Sequence, residues 1–346
     1  MNLLAGDLGG TKTLLGIYSS NGLEILYKKE YISKDWLTFN KILGDFLDRL
    51  PDNIESPHYG CLGVAGNVSK NRCKLTNLDW QLNGELLRNS TSLKRLDLIN
   101  DFSVLIYGLK NFNQNQYVTI QKLSSEENIS AKGLVAVIGA GTGLGISRGL
   151  LTSNGIEILP SEGGHREFSP RSNTEWQIAN WLKNDLNLKR LSLERIVSGT
   201  GLGHIARWRL MQPDGVSHPL RELAEELSRN KFSAIEMPSI ASDAAKNGDK
   251  LMNEALDIWL SAYGSAAGDL ALQELCYLGL WIGGGTASKH LDGIQSNSFL
   301  KSFSNKGRFK SFLEKIPIMV LTDPEAGLFS AGCRASLLAQ QGGRLI

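Results

Sequence analysis

The sequence predicts an α/β protein of two domains built from one duplicated core, and three observations carry that prediction. Residues 3–26 read as strand, Gly-Gly-Thr turn, strand, Asn-Gly turn and strand, with apolar runs on either side of each turn. Residues 139–159 repeat the pattern: Gly6 matches Gly139, Gly16 matches Gly149, Asn21-Gly22 matches Asn154-Gly155 and Glu24-Ile25-Leu26 matches Glu157-Ile158-Leu159, all at one offset of 133. That offset is too long for a solenoid repeat and suits two copies of a domain core facing each other. The rest of the chain alternates apolar runs with helical-period stretches, and its 346 residues suffice for about two domains, each with its own core.

After the first three strands, Trp36, Phe39, Ile42, Leu43, Phe46, Leu47 and Leu50 recur at helical spacing up to Pro51. Residues 59–64 read as a buried strand ended by Ala65-Gly66-Asn67, and Leu98-Ile99 belongs to another strand that ends at Asn100-Asp101. Ligands of open α/β sheets sit at the carboxyl ends of strands, which puts Asn100-Asp101 where a site belongs. Residues 111–132 are rich in Asn, Gln, Ser and Glu, and the domain crossover is placed near their start. The second copy follows, then helices from Asn173. The longest helix, over 249–277, carries Leu251, Ala255, Ile258, Trp259, Ala262, Tyr263, Ala266 and Leu270 on one core stripe. Residues 277–282 read as a strand running into Gly283-Gly284-Gly285, and residues 324–338 as a last helix with Pro324 near its first turn. The expected boundaries are a small domain over 1–110, completed by a C-terminal helix at about 325–340, and a large domain over 111–324.

Bulk chemistry excludes more than it assigns. The 37 basic and 35 acidic residues are spread along the chain and leave a net charge of +2, so there is no footprint for nucleic acid or an anionic membrane. No apolar run reaches the length of a membrane span, and Asp7 interrupts the N-terminal run before a signal-peptide core forms, which gives the expectation of a cytoplasmic protein. Cys61, Cys73, Cys276 and Cys333 form no Cys-x-x-Cys pair, and no His stands at zinc-ligand spacing, so all four are expected as buried free thiols.

The segment Asp7-Leu8-Gly9-Gly10-Thr11-Lys12 supplies glycines whose backbone N–H groups can close on phosphate oxygens. It adds a Thr hydroxyl, and in Asp7 a carboxylate able to hold Mg²⁺ through water. It is not a P-loop, since Thr11 stands before Lys12 and a strand follows. The run Gly139-Ala140-Gly141-Thr142-Gly143-Leu144-Gly145 fails the G-x-G-x-x-G spacing in both registers, with Leu144 and Ile146 in the third glycine's place, which disfavours a dinucleotide fold. Taken singly, these turns are ordinary hairpins, Asn100-Asp101 is an ordinary helix cap, and Glu162, His165 and Glu194 are ordinary polar groups. The recurrence of the Gly/Thr turn at equivalent points of a duplicated core favours a triphosphate held from two sides.

As a set, the motifs resemble a known family. The segments Gly6-Asp-Leu-Gly-Gly-Thr11, Gly139-Ala-Gly-Thr-Gly-Leu-Gly145 and Gly283-Gly-Gly285 resemble the first phosphate, second phosphate and adenosine motifs of the sugar kinase, actin and heat-shock chaperone ATPase superfamily. Ile99-Asn100-Asp101-Phe102, the run from Leu159 to His165 and Glu194-Arg195-Ile196-Val197-Ser198-Gly199 are similar to the sugar-site segments of the bacterial glucokinases, and the match runs in order to Asp323-Pro324-Glu325-Ala326-Gly327-Leu328. The resemblance implies two actin-like ATPase (ribonuclease H-like) domains with an interdomain cleft, and ATP-dependent phosphorylation of D-glucose at its 6-hydroxyl. It implies glucose held by Asn100, Asp101, Glu162, His165 and Glu194, with Asp101 as the general base. It implies ATP along Gly6, Asp7, Leu8, Gly9, Gly10, Thr11, Gly141 and Thr142 with adenosine near Gly283, Gly284 and Gly285, Mg²⁺ arriving with the nucleotide, and a homodimer.

The chemistry agrees: phosphoryl transfer to an alcohol needs a carboxylate for the proton, donors for the phosphates and exclusion of water. A selective hexose pocket needs fixed carboxylates and amides. The Gly163-Gly164 pair is expected to let backbone pass close to the ligand, and Asn77 is a further candidate near the cleft. Lys12 where many relatives have Asn, Arg166 after His165, and Thr200 in place of a common Pro bear on fine substrate preference. The alternatives are a kinase for another hexose or amino sugar, or a non-catalytic sugar sensor. The cysteine-rich zinc motif and the helix-turn-helix of a sugar-responsive repressor are not found in the sequence.

Overall fold

The computed structural model describes residues 1–122, 132–153, 155–229 and 236–342. Asn154 of the second expected Asn-Gly turn, and residues 123–131 of the polar interval, lie outside the described residues. The chain divides into two compact units, one of residues 1–116 with the described residues from Asp323 onward, the other Tyr117–Thr322.

The first unit is built on β1 (Asn2–Leu8), β2 (Lys12–Ser19), β3 (Ile25–Ile32) and β4 (Tyr59–Val64). After a small sheet of β5 (Val68–Ser69), β6 (Arg72–Lys74) and β7 (Gln81–Asn83), β8 (Arg95–Asn100) completes the main sheet in the order β3-β2-β1-β4-β8. The hairpins β1–β2 and β2–β3 are antiparallel, while β1, β4 and β8 run parallel. Strand β1 reads as an unbroken apolar run because both faces of the sheet are covered. Leu4 and Leu8 pack with Phe39, Ile42, Leu43 and Phe46 of the helix Phe39–Asp48, whereas Leu3 and Ala5 on the other face pack with Leu328, Ala331 and Ala335 of the helix Ala326–Gly342. The period-2 alternation of the strand thereby recruits two distant helices.

The second unit repeats the plan. Its strands are β9 (Tyr117–Gln121), β10 (Gly133–Ala140), β11 (Leu144–Thr152), β12 (Gly155–Ser161), β13 (Leu280–Ile282) and β14 (Ile318–Leu321), ordered β12-β11-β10-β13-β14-β9. Two antiparallel hairpins are followed by two strands parallel to the first, with β9 added antiparallel at the edge. The single offset of 133 does not survive the first turn. Gly6 pairs with Leu15, but Gly139 pairs with Gly145, because the pair that closes the first hairpin, Leu8 with Thr13, corresponds to Ala140 with Leu144, offsets of 132 and 131.

The long helix is Lys250–Glu274, started by the Asp249 carboxylate accepting the Met252 N–H at 2.9 Å and ended at Leu275 with φ +48°. It stops short of Tyr277 because the left-handed residue at its end turns the chain out of the helical path. Trp259, Tyr263, Ala266 and Leu270 of its stripe are buried, while Leu251 and Ile258 are only partly so. Gly264 and Gly268 let the helix lie against the Phe299 and Phe303 carbonyls, each of which would stand 2.2 Å from an added Cβ. Among the described residues no helix is long and apolar enough to cross a membrane.

Candidate active site

In the first unit the carboxyl ends of three parallel strands fall side by side, Leu8 paired with Val64 and Val64 with Asn100. Asn100 caps the helix Asp101–Gly108: its Oδ1 accepts the Phe102 and Ser103 N–H groups at 3.0 and 3.1 Å. Its Nδ2 donates to the Gly66 carbonyl at 3.2 Å and to Asp101 Oδ1 at 2.9 Å, and that same oxygen accepts the Phe102 N–H at 3.0 Å. The cap and the catalytic candidate are therefore one arrangement. Asn100 starts the helix and in doing so fixes the Asp101 carboxylate.

Asp7 is pushed up to about 6, first by burial and then by the negative charge of Asp101. Gly327 borders it from the C-terminal helix, where an added Cβ would stand 2.6 Å from Asp7 Oδ2.

The turn after β1 is tied from behind by Ser33. Its Oγ donates to the Gly9 carbonyl at 2.9 Å, its N–H donates to the Thr11 carbonyl at 2.9 Å, and the buried Thr13 hydroxyl lies 2.9 Å from its Oγ. With its one proton given to Gly9, the Ser33 hydroxyl accepts from Thr13. Among the described residues no protein acceptor takes the N–H of Gly10 or Thr11. Carbonyls engaged behind and amides left in front make a concavity for an anion. Asn77 closes one side, since a Cβ on Gly10 would meet its Cβ at 2.7 Å.

The turn of the second unit is tied in the same sense by different groups. The Gly141 carbonyl accepts the Gly199 N–H at 2.8 Å, the Thr142 carbonyl accepts the Thr200 hydroxyl at 2.9 Å, and the Ala140 carbonyl accepts the Thr286 hydroxyl. The N–H groups of Thr142 and Gly143 meet no protein acceptor among the described residues. Gly199 opens the helix Gly199–Leu210, capped by Ser198, so a helix N-terminus adjoins the turn and favours negative charge there. Strand β13, parallel to β10, ends in Gly283-Gly284-Gly285: Gly283 bonds the Ile138 carbonyl at 2.9 Å, Gly284 has φ +86°, and Gly285 has open space where a Cβ would be.

Glu162, His165 and Glu194 come together in this unit. His165 Nδ1 stands 3.4 Å from Glu194 Oε1, and His165 Nε2 stands 3.9 Å from Glu162 Oε2. Glu194 is the fixed member: its side chain is 24% exposed against 59% and 72% for His165 and Glu162, and its Oε2 accepts the Leu144 N–H at 3.3 Å. An added Cβ on Gly143 would meet that oxygen at 2.5 Å. Glu194 and the turn 141–143 thus share a wall.

Two expectations change. The Gly163-Gly164 pair has a packing reason of its own, because a Cβ on Gly164 would lie 2.1 Å from the Leu144 carbonyl and one on Gly163 would meet Ser161 and Ile146. The pair lets the short helix Gly163–His165 pack on β11, which aims His165. Gly6 and Leu8 lie within β1 rather than in the turn. Leu62 and Leu15 fill the space over Gly6, and Leu8 is fully buried in the core. They carry the turn from behind. Sequence reasoning missed Ser33, Thr286 and the bonding role of Thr200; the last was visible only as a Thr where a Pro is common.

Among the described residues no three His, Cys, Asp or Glu side chains converge as a metal cluster, and the first unit brings only Asp7 and the Asp101 whose charge raises it to its strand ends. That donor set would suit an ion held mainly by nucleotide oxygens and water, which Asp7 would meet through water.

Comparison with known proteins agrees with this geometry. The family model described as Glucokinase matches residues 4–338. The glucokinase of Nostoc punctiforme is 35% identical over 345 residues, covering 97% of this chain and 99% of that protein. The crystal structure of glucokinase from an Antarctic psychrotroph superposes with a TM-score of 0.78 at 25% identity, covering 96% of this chain and 98% of that one. A ROK family glucokinase from Streptomyces griseus, solved in complex with glucose and AMPPNP, shares the fold with a TM-score of 0.61 at 19% identity over 97% of this chain and all of its own. From a duplicated sheet, two tied-back turns and a family match over nearly its whole length, the chain belongs to the glucokinase family.

Proposed function

We propose that the protein transfers the γ-phosphoryl group of MgATP to the 6-hydroxyl of D-glucose. The reading is carried by the two Gly/Thr turns at matching strand ends of like-ordered sheets, one of them beside the strand end that presents Asn100 and Asp101. Asp101 accepts the proton of the 6-hydroxyl as that oxygen attacks the γ-phosphorus, and the electron pair of the broken bond to the bridging oxygen leaves with ADP. Asn100 holds the base in line. Glu162, His165 and Glu194 meet the other hydroxyls of the sugar, and an analogue that lacks one leaves a charged partner unsatisfied.

The amides of Gly10, Thr11, Thr142 and Gly143 hold phosphate oxygens, and the open space at Gly285 receives the adenosine side. Mg²⁺ enters as part of the nucleotide and neutralises charge on its oxygens. Glucose and AMPPNP, the ligands of the Streptomyces griseus structure, are the pair expected here. A cytoplasmic homodimer belongs to the same proposal, and sedimentation of the purified chain tests the pairing.

The deciding experiment is coupled-assay turnover with MgATP against glucose, mannose, fructose, glucosamine and N-acetylmannosamine, each paired with calorimetric binding of the same sugar. Glucose-selective turnover is expected. Turnover selective for another sugar would replace the substrate, and tight glucose binding without turnover would leave a sensor in place of a kinase.

A further inference from the structure

Ala140 is the last strand residue before the turn 141–143, and both of its backbone polar groups are held by side-chain hydroxyls from other elements. The hydroxyl of Tyr263, on the buried face of the helix Lys250–Glu274, accepts the Ala140 N–H at 3.2 Å. The hydroxyl of Thr286, in the residue that follows Gly283-Gly284-Gly285, donates to the Ala140 carbonyl. One helical turn before Tyr263, the indole N–H of Trp259 donates to the Ser198 carbonyl at 2.8 Å, which holds the cap of the helix whose Gly199 N–H reaches the Gly141 carbonyl at 2.8 Å. Ala140 and Gly141, the entry to the turn, therefore rest on one buried aromatic face, residues i and i+4 of a single helix. Sheet pairing alone would leave the hairpin end free to twist. Here the last residue of β10 is pinned through both of its flanking peptides, and neither pin points a free group into the turn.

We propose that Tyr263 and Thr286 are positioning residues for nucleotide binding, setting the Thr142 and Gly143 amides through Ala140 without touching the ligand. The proposal rests on the reading of that turn as a phosphate site. Thr286 also links the adenosine-side loop to the phosphate turn, so the same hydroxyl registers the two ends of the nucleotide against each other. Losing one hydrogen bond of this kind leaves a backbone group unpartnered, and a loss of about 5- to 10-fold in nucleotide affinity is expected.

The experiment measures calorimetric binding of MgAMPPNP and of glucose, with KM for ATP, KM for glucose, kcat and Tm, on the full chain and on Thr286→Val, Thr286→Ser and Tyr263→Phe. In support, Thr286→Val and Tyr263→Phe weaken AMPPNP and raise KM for ATP by that factor, leave glucose binding unchanged, and Thr286→Ser restores the wild-type values. Wild-type binding retained in both variants overturns the positioning role. Equal losses for AMPPNP, glucose and Tm also overturn it, since they mark a general packing role. A wild-type chain that binds glucose but no AMPPNP would instead overturn the phosphate-site reading itself, and the two failures are distinct.

Discussion

Replacing Asp101 by Asn removes proton acceptance while keeping an oxygen for the hydrogen bonds that Asp101 accepts from Asn100 and Phe102. The Asn100 cap on the Phe102 and Ser103 N–H groups stays, and the new amide oxygen can still accept from Asn100 Nδ2 and the Phe102 N–H. What disappears is a group able to take the proton of the attacking hydroxyl. Loss of a general base lowers turnover by about 10²–10⁴-fold, which at 1.36 kcal/mol per decade raises the barrier by about 3–5 kcal/mol. The stability cost is smaller, because a carboxylate in the first turn of a helix contributes about 0.3–1 kcal/mol through the dipole. The variant is therefore expected to lose hundreds-fold or more in kcat, keep glucose affinity within a few-fold, and melt within about 4 °C of wild type. Asp7 supplies an internal control: Asp101 is one of the two causes that raise it, so removing that charge moves the Asp7 carboxyl downward. The assays are coupled turnover, glucose calorimetry and thermal melting of the same preparation. Near-normal kcat in Asp101→Asn would refute the assignment of the base, and a collapsed Tm would refute the claim that the amide keeps the bonds of the carboxylate to Asn100 and Phe102.

Because the fold raises Asp7 from 3.8 to about 6, its carboxylate forms only above that pH, and turnover is expected to climb through an acid limb near pH 6 that flattens in Asp7→Asn. The sign for stability is opposite: the protonated form is favoured in the fold, so this contribution is full below pH 3.8 and is lost as pH rises through 6, readable as a falling ligand-free Tm that Asp7→Asn does not share. Gly164→Ala places a Cβ 2.1 Å from the Leu144 carbonyl and is expected to cost about 1–3 kcal/mol and to weaken glucose binding by displacing His165. Gly285→Ala has room for its methyl, so Tm should hold while AMPPNP affinity falls; unchanged affinity would remove Gly285 from the site. Cys61, Cys73, Cys276 and Cys333 are all buried, and burial pushes Cys276 and Cys333 up to about 12. Thiol reagents are expected to label the native protein slowly and all four positions on unfolding; rapid native labelling would contradict that packing.

The duplicated hairpins were legible because a two-sided buried strand leaves an apolar run, and a Gly-rich turn interrupts it in the same place twice. Asn100-Asp101 was legible as a cap and as a candidate catalytic pair, and the bond from the cap residue to the Asp101 carboxylate makes the two readings compatible. What stayed hidden depends on contacts across long chain separations. No local signal marks Ser33 as the residue that ties Gly9 and Thr11, or Tyr263 as the partner of Ala140, since each sits on an element whose sequence is fully explained by packing. The Gly163-Gly164 pair was visible, but which neighbour needed the space was not: a Leu144 carbonyl and a sugar ring exert the same demand on a glycine. The register difference between the two first turns was masked because the glycines align by sequence while the strands pair by geometry.

The helix Ala326–Gly342 covers Leu3, Ala5, Cys61 and Val104 of the first unit, so the earliest strands are roofed by the latest residues. During translation the order of completion then inverts the order of synthesis. The stretch from Tyr117 to Thr322 is contiguous and closes its own core, and it takes roughly 10–40 s to emerge at ordinary elongation rates. Throughout that interval the first sheet stands half-covered on the ribosome, its bare apolar strip open to chaperones and proteases. A nascent chain that stalls before Ala326 lacks the helix that closes the unit presenting Asp101.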